Sequence, residues 1–208
     1  MNAFLYIHGK NGDAAEAEHF ARLFSSYPVI GIDYRGSVPW EAGKEIREAI
    51  LKAKETYDGI AVIANSIGAY FLMNAEVENK IKHAFFISPI VDMEKLIYGV
   101  MAYAQIGEAE LRSRKIISTD FGEDLSWEYL SYVREHPVHF HVPTDILYGS
   151  KDDLTSLDTV KTFAGKHRAS LTVMDGGEHW FHTEEQMRFL DRWIEKKFRE
   201  SLAFSPKA

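Results

Sequence analysis

Six short apolar runs punctuate the chain: Ala3 to His8, Val29 to Tyr34, Ile60 to Asn65, His83 to Ser88, Asp145 to Gly149 and Ser170 to Met174. Each is apolar on nearly every residue rather than on alternate ones, and each is rich in β-branched or aromatic side chains. That pattern predicts strands covered on both faces, as in a parallel sheet. Between the runs the apolar spacing switches to three and four, predicting helices from Asp13 or Ala14 to Tyr27, from Trp40 to Tyr57, from Ser66 to Val77, from Ser156 to His167 and from Thr183 to Ser201. The last opens on Thr183-Glu184-Glu185-Gln186, a capping box in which Thr caps and Gln reaches back. Strand alternating with helix predicts an α/β fold with a parallel sheet wound by right-handed crossovers.

One stretch breaks this rhythm. From about Val91 to Pro143, more than fifty residues separate the fourth run from the fifth. Met93 to Gln105 and Leu125 to Glu135 predict helices with a polar stretch between them. This is too long for a plain crossover and is expected to be a helical insertion, a lid, in a single domain spanning residues 1–208.

Composition narrows the classes. The chain has 208 residues, 46% of them hydrophobic and 26% charged, which is globular balance for one domain. Cysteine is absent, so a thiolate nucleophile, an iron–sulfur cluster and a disulfide framework are excluded. Lys plus Arg number 24 and Asp plus Glu 31, a net charge of −7 that argues against a nucleic-acid partner. No apolar run approaches the ~20 residues that span a bilayer, so no membrane partner is expected. The first residues lack a basic segment and a cleavage pattern, and a cytoplasmic protein is expected.

Candidate chemistry lies at the ends of the apolar runs. In Ile60-Ala61-Val62-Ile63-Ala64-Asn65-Ser66-Ile67-Gly68-Ala69-Tyr70 a strand stops at a serine and becomes a helix almost without a loop. The small Ala64 and Gly68 flank Ser66 at two residues on either side, as a sharp turn requires. Such a turn exposes the hydroxyl at a helix N-terminus, where free amides favour a developing anion, although a serine there is most commonly a plain helix cap. Tyr6-Ile7-His8-Gly9-Lys10-Asn11-Gly12 ends the first strand in a small-residue loop. Gly31-Ile32-Asp33-Tyr34-Arg35-Gly36 follows the second, Tyr148-Gly149-Ser150-Lys151-Asp152-Asp153 follows the fifth, and Asp175-Gly176-Gly177-Glu178-His179 follows the sixth.

Together these pieces resemble the α/β-hydrolases. The serine turn resembles the G-x-S-x-G nucleophile elbow, with Ala64 in place of the first glycine. The His8-Gly9 segment resembles the H-G-x-x-G oxyanion loop, and Asp33 to Gly36 resembles the D-x-R-G stretch, whose role is structural. The resemblance covers Ala3 to Phe198 apart from the insertion, and the chain order Ser, Asp, His matches. It implies Ser66 as nucleophile, His179 as base with His182 as substitute, and Asp152 as the orienting acid with Asp153 as runner-up. It also implies an oxyanion hole made by the amides of Ile67 and Lys10, with Asn11 as a neighbouring candidate. The expected fold is a minimal α/β-hydrolase sheet of six mainly parallel strands, in the order second, first, third, fourth, fifth, sixth, with helices on both faces.

The activity so implied is a carboxylesterase acting on a small-molecule acyl substrate through an acyl-enzyme, with no cofactor. A thioesterase, peptidase or C–C hydrolase, or a non-catalytic member that binds a ligand or partner, are the alternatives. Trp127, within an insertion rich in apolar side chains, Asn11 and the Trp180 that follows the base are candidate substrate contacts. His136, His139 and His141 have the close spacing of metal ligands but lack a full donor set, and no metal is expected. Oligomeric state is not legible in the sequence. Phe198, Leu202 and Phe204 at the end of the last helix are candidates for docking onto a neighbour or onto the chain itself.

Overall fold

The structure is a computed structural model that describes residues 1–120 and 124–201. In chain order the elements are β1 (Asn2–Ile7), a 3₁₀ turn (Ala14–Glu16), α1 (Ala17–Leu23), β2 (Val29–Gly31), α2 (Pro39–Lys54), β3 (Gly59–Asn65), α3 (Ile67–Met73), a second 3₁₀ turn (Glu78–Lys80) and β4 (His83–Ile87). Then follow α4 (Met93–Tyr103), α5 (Glu108–Arg114), β5 (Ile116–Ser118), β6 (Asp124–Ser126), α6 (Trp127–Glu135), β7 (Thr144–Gly149), α7 (Leu157–His167), β8 (Ser170–Met174) and α8 (Glu184–Ser201). The chain divides into two compact units: Met1–Val91 with the chain from His139 onward, and Asp92–Val138.

The first unit carries a sheet of six strands in the order β2-β1-β3-β4-β7-β8. All five pairings are parallel. On one face Phe4, Tyr6, Ala61, Ile63, Phe85, Ile87 and Leu147 pack in one core with Phe20 and Phe24 and with Leu190, Trp193 and Ile194 of α8. The residues between them (Leu5, Ile7, Val62, Ala64, Phe86 and Ile146) are buried as well. The central runs are therefore apolar throughout because both faces are covered. The outer strands differ from that expectation. Ile30 of β2 and Val173 of β8 are 38% and 39% exposed. Each lies at a sheet edge, with one neighbour instead of two.

Helix ends depart from the pattern for local reasons. The first helix stops at Leu23 instead of reaching Tyr27, and Phe24 leaves it to stack on Phe4 with centroids 4.3 Å apart. Tyr27 precedes a proline, which disfavours helical backbone there. α2 begins one residue earlier than expected, with Pro39 in its first turn, where a missing N–H is harmless. The helix after β3 ends at Met73, short of Val77. At α8, Thr183 Oγ1 accepts from the Gln186 N–H at 3.2 Å. Gln186 returns its side-chain oxygen to the N–H of His182, one residue before the cap.

The second unit is not purely helical. The polar stretch expected between two helices holds α5 and an antiparallel pair, β5 with β6, in which Ile117 faces Leu125. Leu125 is thus in a strand, and α6 starts at Trp127, capped by Ser126. Leu111 and Leu130 are fully buried. Arg134 of α6 binds Glu94 of α4 at 2.8 Å and both carboxylate oxygens of Glu108 at 2.9 and 2.8 Å, and it also contacts the Tyr98 hydroxyl. One guanidinium therefore ties the three helices together.

Candidate active site

The first unit brings Ser66, His179 and Asp152 into one line. Ser66 Oγ is 2.8 Å from His179 Nε2, and His179 Nδ1 is 2.7 Å from Asp152 Oδ2. A carboxylate can only accept, so Nδ1 carries the proton in the neutral ring and Nε2 is left to accept from the serine.

Ser66 separates β3 from α3 by a single residue, at φ 52° and ψ −122°. A non-glycine residue at positive φ is strained and persists only where its surroundings over-determine it. Here the Ser66 N–H donates to Ile87 O at 2.9 Å, and its carbonyl accepts from Ile90 N at 3.2 Å, so the end of β4 holds both backbone groups. The turn also presses α3 onto β1. A methyl group on Gly68 would lie 2.4 Å from His8 O, so only glycine fits two residues after the serine. Ser66 stands at the N-cap position of α3, but its side chain makes no capping bond to the helix.

Asp152 and His179 reach each other because two turns cross closely. A methyl group on Gly149 would lie 2.4 Å from the carbonyl carbon and oxygen of Gly177. The Lys151 N–H donates to Gly177 O at 2.7 Å, and the Gly176 N–H donates to Ser150 Oγ at 2.8 Å. The loop after β7 is thereby laced to the loop after β8. Asp152, whose side chain is fully buried, accepts through Oδ1 from the N–H groups of Leu154 and Thr155 at 2.9 and 3.0 Å. Its other oxygen is left for His179. Of the two adjacent aspartates the structure brings Asp152 to His179 and leaves Asp153 exposed. His182 is turned elsewhere: its Nδ1 lies 2.7 Å from Trp180 O and its ring stacks on Trp180.

The loop after β1 approaches the serine. A methyl group on Gly9 would lie 3.2 Å from Ser66 Cβ, and the loop closes with the Gly12 N–H donating to Gly9 O at 3.2 Å. Asn11 has positive φ, 61°, and both Lys10 and Asn11 are exposed. Ile67 is the first residue of α3, where an N–H has no acceptor within its own helix. His8 is buried and stacks on Tyr34 at 4.2 Å; its Nδ1–H donates to Gly9 O, and the Tyr34 hydroxyl donates to His8 O at 2.8 Å. The tyrosine of the Asp33–Gly36 stretch therefore props the loop, and burial pushes its phenol up. Glu45 holds that stretch by accepting from the N–H groups of Arg35 and Gly36.

Of the two candidate tryptophans, Trp180 follows His179 and is 70% exposed. Trp127 opens α6 in the second unit, beneath the Arg112 guanidinium at 5.6 Å. Of the clustered histidines, His136 belongs to the second unit, where it stacks on Tyr132, and His139 and His141 belong to the first. Among the described residues no group of three or more His, Cys, Asp or Glu side chains could hold a metal ion. Among them, too, no helix is long and apolar enough to cross a membrane. Leu202 and Phe204 lie outside the described residues, whereas Phe198 packs edge-on against Phe4 at 4.9 Å.

Three polar residues near the site carry no motif: Tyr6, Glu16 and Asn65. The Tyr6 hydroxyl donates to Glu16 Oε2 at 2.5 Å, and the Asn65 side chain lies close to it. In the sequence Tyr6 is one more apolar strand residue. The only available signal was a hydroxyl inside a strand buried on both faces, which demands a partner.

The chain has the α/β-hydrolase fold. Est1E from Butyrivibrio proteoclasticus superposes with a TM-score of 0.75 at 16% identity, over 97% of this chain and 88% of that one. The same protein has also been solved with ferulic acid bound. Mouse alpha/beta hydrolase domain-containing protein 10 superposes with a TM-score of 0.71 at 14% identity, over 95% of this chain and 90% of that one. An esterase from Pyrococcus furiosus gives a TM-score of 0.63 at 19% identity, over 97% and 81%. No protein-family model matches the sequence, and no curated protein matches it.

Proposed function

We propose that the protein is a serine hydrolase, a carboxylesterase that cleaves small to medium acyl esters through an acyl-enzyme. The observation that carries this is the line from Ser66 Oγ to His179 Nε2 at 2.8 Å and from His179 Nδ1 to Asp152 Oδ2 at 2.7 Å. In this reading His179 takes the Ser66 proton as Oγ attacks the ester carbonyl. Asp152, fixed by two amides, holds the ring and stabilises its charged form. The amides of Ile67 and Lys10 take the charge that develops on the carbonyl oxygen, where losing one donor typically costs about 10²–10³ in rate. His179 then returns the proton to the leaving alcohol, and a water deprotonated by the same ring releases the acid. No cofactor takes part. The strained backbone of Ser66 supports the assignment, since strain of this kind concentrates at functional positions.

A fluorophosphonate probe is expected to label the wild-type protein and to leave Ser66→Ala unlabelled. Equal labelling of the two proteins would sink the proposal. A panel of acetyl, butyryl and hydroxycinnamoyl esters, set beside acyl-CoA and aminoacyl amides, separates esterase from thioesterase and peptidase. The hydroxycinnamoyl ester is included because Est1E binds ferulic acid.

A further inference from the structure

Beneath the proposed oxyanion loop, the Gly9–Gly12 segment, runs a second polar line. Tyr6 is 3% exposed on β1, two residues before His8. Glu16 can only accept, so the Tyr6 O–H donates to it, and the Asn65 side chain lies close by. Burial first, and the Glu16 carboxylate next, push the phenol far above its ordinary value, so the hydroxyl keeps its proton.

The two ends of this line lie against the two ends of the loop. A methyl group on Gly9 would lie 3.6 Å from Asn65 Nδ2, and one on Gly12 would lie 2.5 Å from Glu16 Oε1. Asn65 also immediately precedes Ser66. One side chain of the line therefore belongs to the elbow that carries the Ile67 amide. Another flanks the loop that carries the Lys10 amide, and Tyr6 lies beside both.

We infer that Tyr6 is a positioning residue: its hydroxyl holds Glu16 and so fixes the Gly9–Gly12 loop against the Ser66 elbow. The inference rests on the proposed function, because it assigns Tyr6 the task of setting the spacing of the two oxyanion amides. Such donors act by being pre-aimed at the place where charge develops, and a misplacement of about 1 Å can cost about 10² in rate. A tyrosine that merely satisfies itself in a core would influence melting temperature and leave turnover per folded molecule alone.

The test is a double-mutant cycle on an activated ester, with active sites counted by fluorophosphonate titration. Tyr6→Phe keeps the ring and removes one oxygen, and it is expected to lower kcat about tenfold while KM stays within about twofold. Glu16 is exposed, so Glu16→Ala does not threaten folding, and it is expected to match Tyr6→Phe. Glu16→Gln, which keeps an acceptor oxygen, is expected to restore most of the rate. The combination Tyr6→Phe with Glu16→Ala is expected to fall no further than either alone, as for residues that act as one unit. An unchanged kcat in Tyr6→Phe or in Glu16→Ala, or losses that multiply in the double variant, would overturn the inference. Ser66→Ala on the same ester keeps the two failures apart. If Ser66→Ala is dead and Tyr6→Phe is fully active, only the positioning role falls. If Ser66→Ala stays active, or the wild type is inert, the hydrolase proposal falls and the positioning role with it.

Discussion

At the residue scale the site depends on which proton sits where. Asp152 divides its two oxygens, one for the amides of Leu154 and Thr155 and one for His179. Asp152→Asn would keep the first set through its carbonyl oxygen and would turn an N–H₂ toward Nδ1. The imidazole would then have to accept at Nδ1 and carry its proton on Nε2, facing the serine. It could no longer act as base. Ester hydrolysis by Asp152→Asn is expected to fall about 10⁴-fold, the order set by a wrong tautomer, with the melting temperature nearly unchanged. Activity within tenfold of wild type in a steady-state assay would remove Asp152 from the role. Ser66 and His179 are legible in the sequence because each follows a strand with small residues at fixed offsets. Asp152 is legible only to within one residue, because Asp153 sits beside it and the choice is made by a loop crossing at Gly149 and Gly177. Tyr6 and Glu16 carry no such signature. Their meaning comes from the Gly9–Gly12 loop and becomes visible only when β1 pairs with β3 and that loop is set against Ser66.

At the scale of elements the opposite end of the sheet holds a polar cluster that no motif announces. His83 opens β4, Asp145 is the second residue of β7 and Ser170 opens β8; Lys197 comes from α8. Asp145 Oδ2 is 2.8 Å from His83 Nε2, its Oδ1 is 3.0 Å from Lys197 Nζ, and Ser170 donates to the same Oδ1. Three adjacent strands and the last helix are stitched at one carboxylate. Burial alone would raise the Asp145 pKa, but the hydrogen bonds from His83, Ser170 and Lys197 outweigh it and hold the carboxyl below its ordinary value. A depressed value in the folded state means that the unfolded chain binds the proton more readily. The stabilisation is therefore complete above the unfolded carboxyl value, near 4, and fades as pH falls through the lower folded value. Asp145→Asn is expected to cost about 3 kcal/mol at pH 7, as when one partner of a buried pair is removed. In urea titrations the gap from wild type is expected to narrow steadily below pH 4. A gap that stays constant from pH 7 to pH 3 would assign the cost to packing. The strand runs themselves were readable, because both-face burial imposes continuous apolarity. Helix ends were less so, since a proline at 28 and a stacking pair at Phe4 and Phe24 decided one of them.

At the scale of the whole molecule, every side chain of the proposed triad and of the Tyr6 line belongs to the first unit. That unit has its own sheet, with β4 and β7 paired directly, Ala84 against Thr144 and Ile87 against Leu147. It also has its own core, built from strand residues, α1 and α8. The second unit has separate buried positions, among them Leu111, Ile117, Leu125 and Leu130, and a separate tie through Arg134. Its hairpin and α5 were hidden in the sequence because strands of three residues are too short to show a period. This division makes an excision informative. The parallel pairing requires the chain leaving β4 at one end of the sheet to return to the other end before entering β7, which takes a dozen or so residues at least. Residues 88–91 and 139–143 remain on either side of the cut, so a Gly/Ser linker of about ten residues in place of 92–138 gives enough length, at about 3.3 Å each when extended. The shortened protein is expected to unfold cooperatively in urea and to be labelled at Ser66 by the fluorophosphonate. Loss of labelling with cooperative unfolding intact would mean that the chemistry at Ser66 needs residues 92–138.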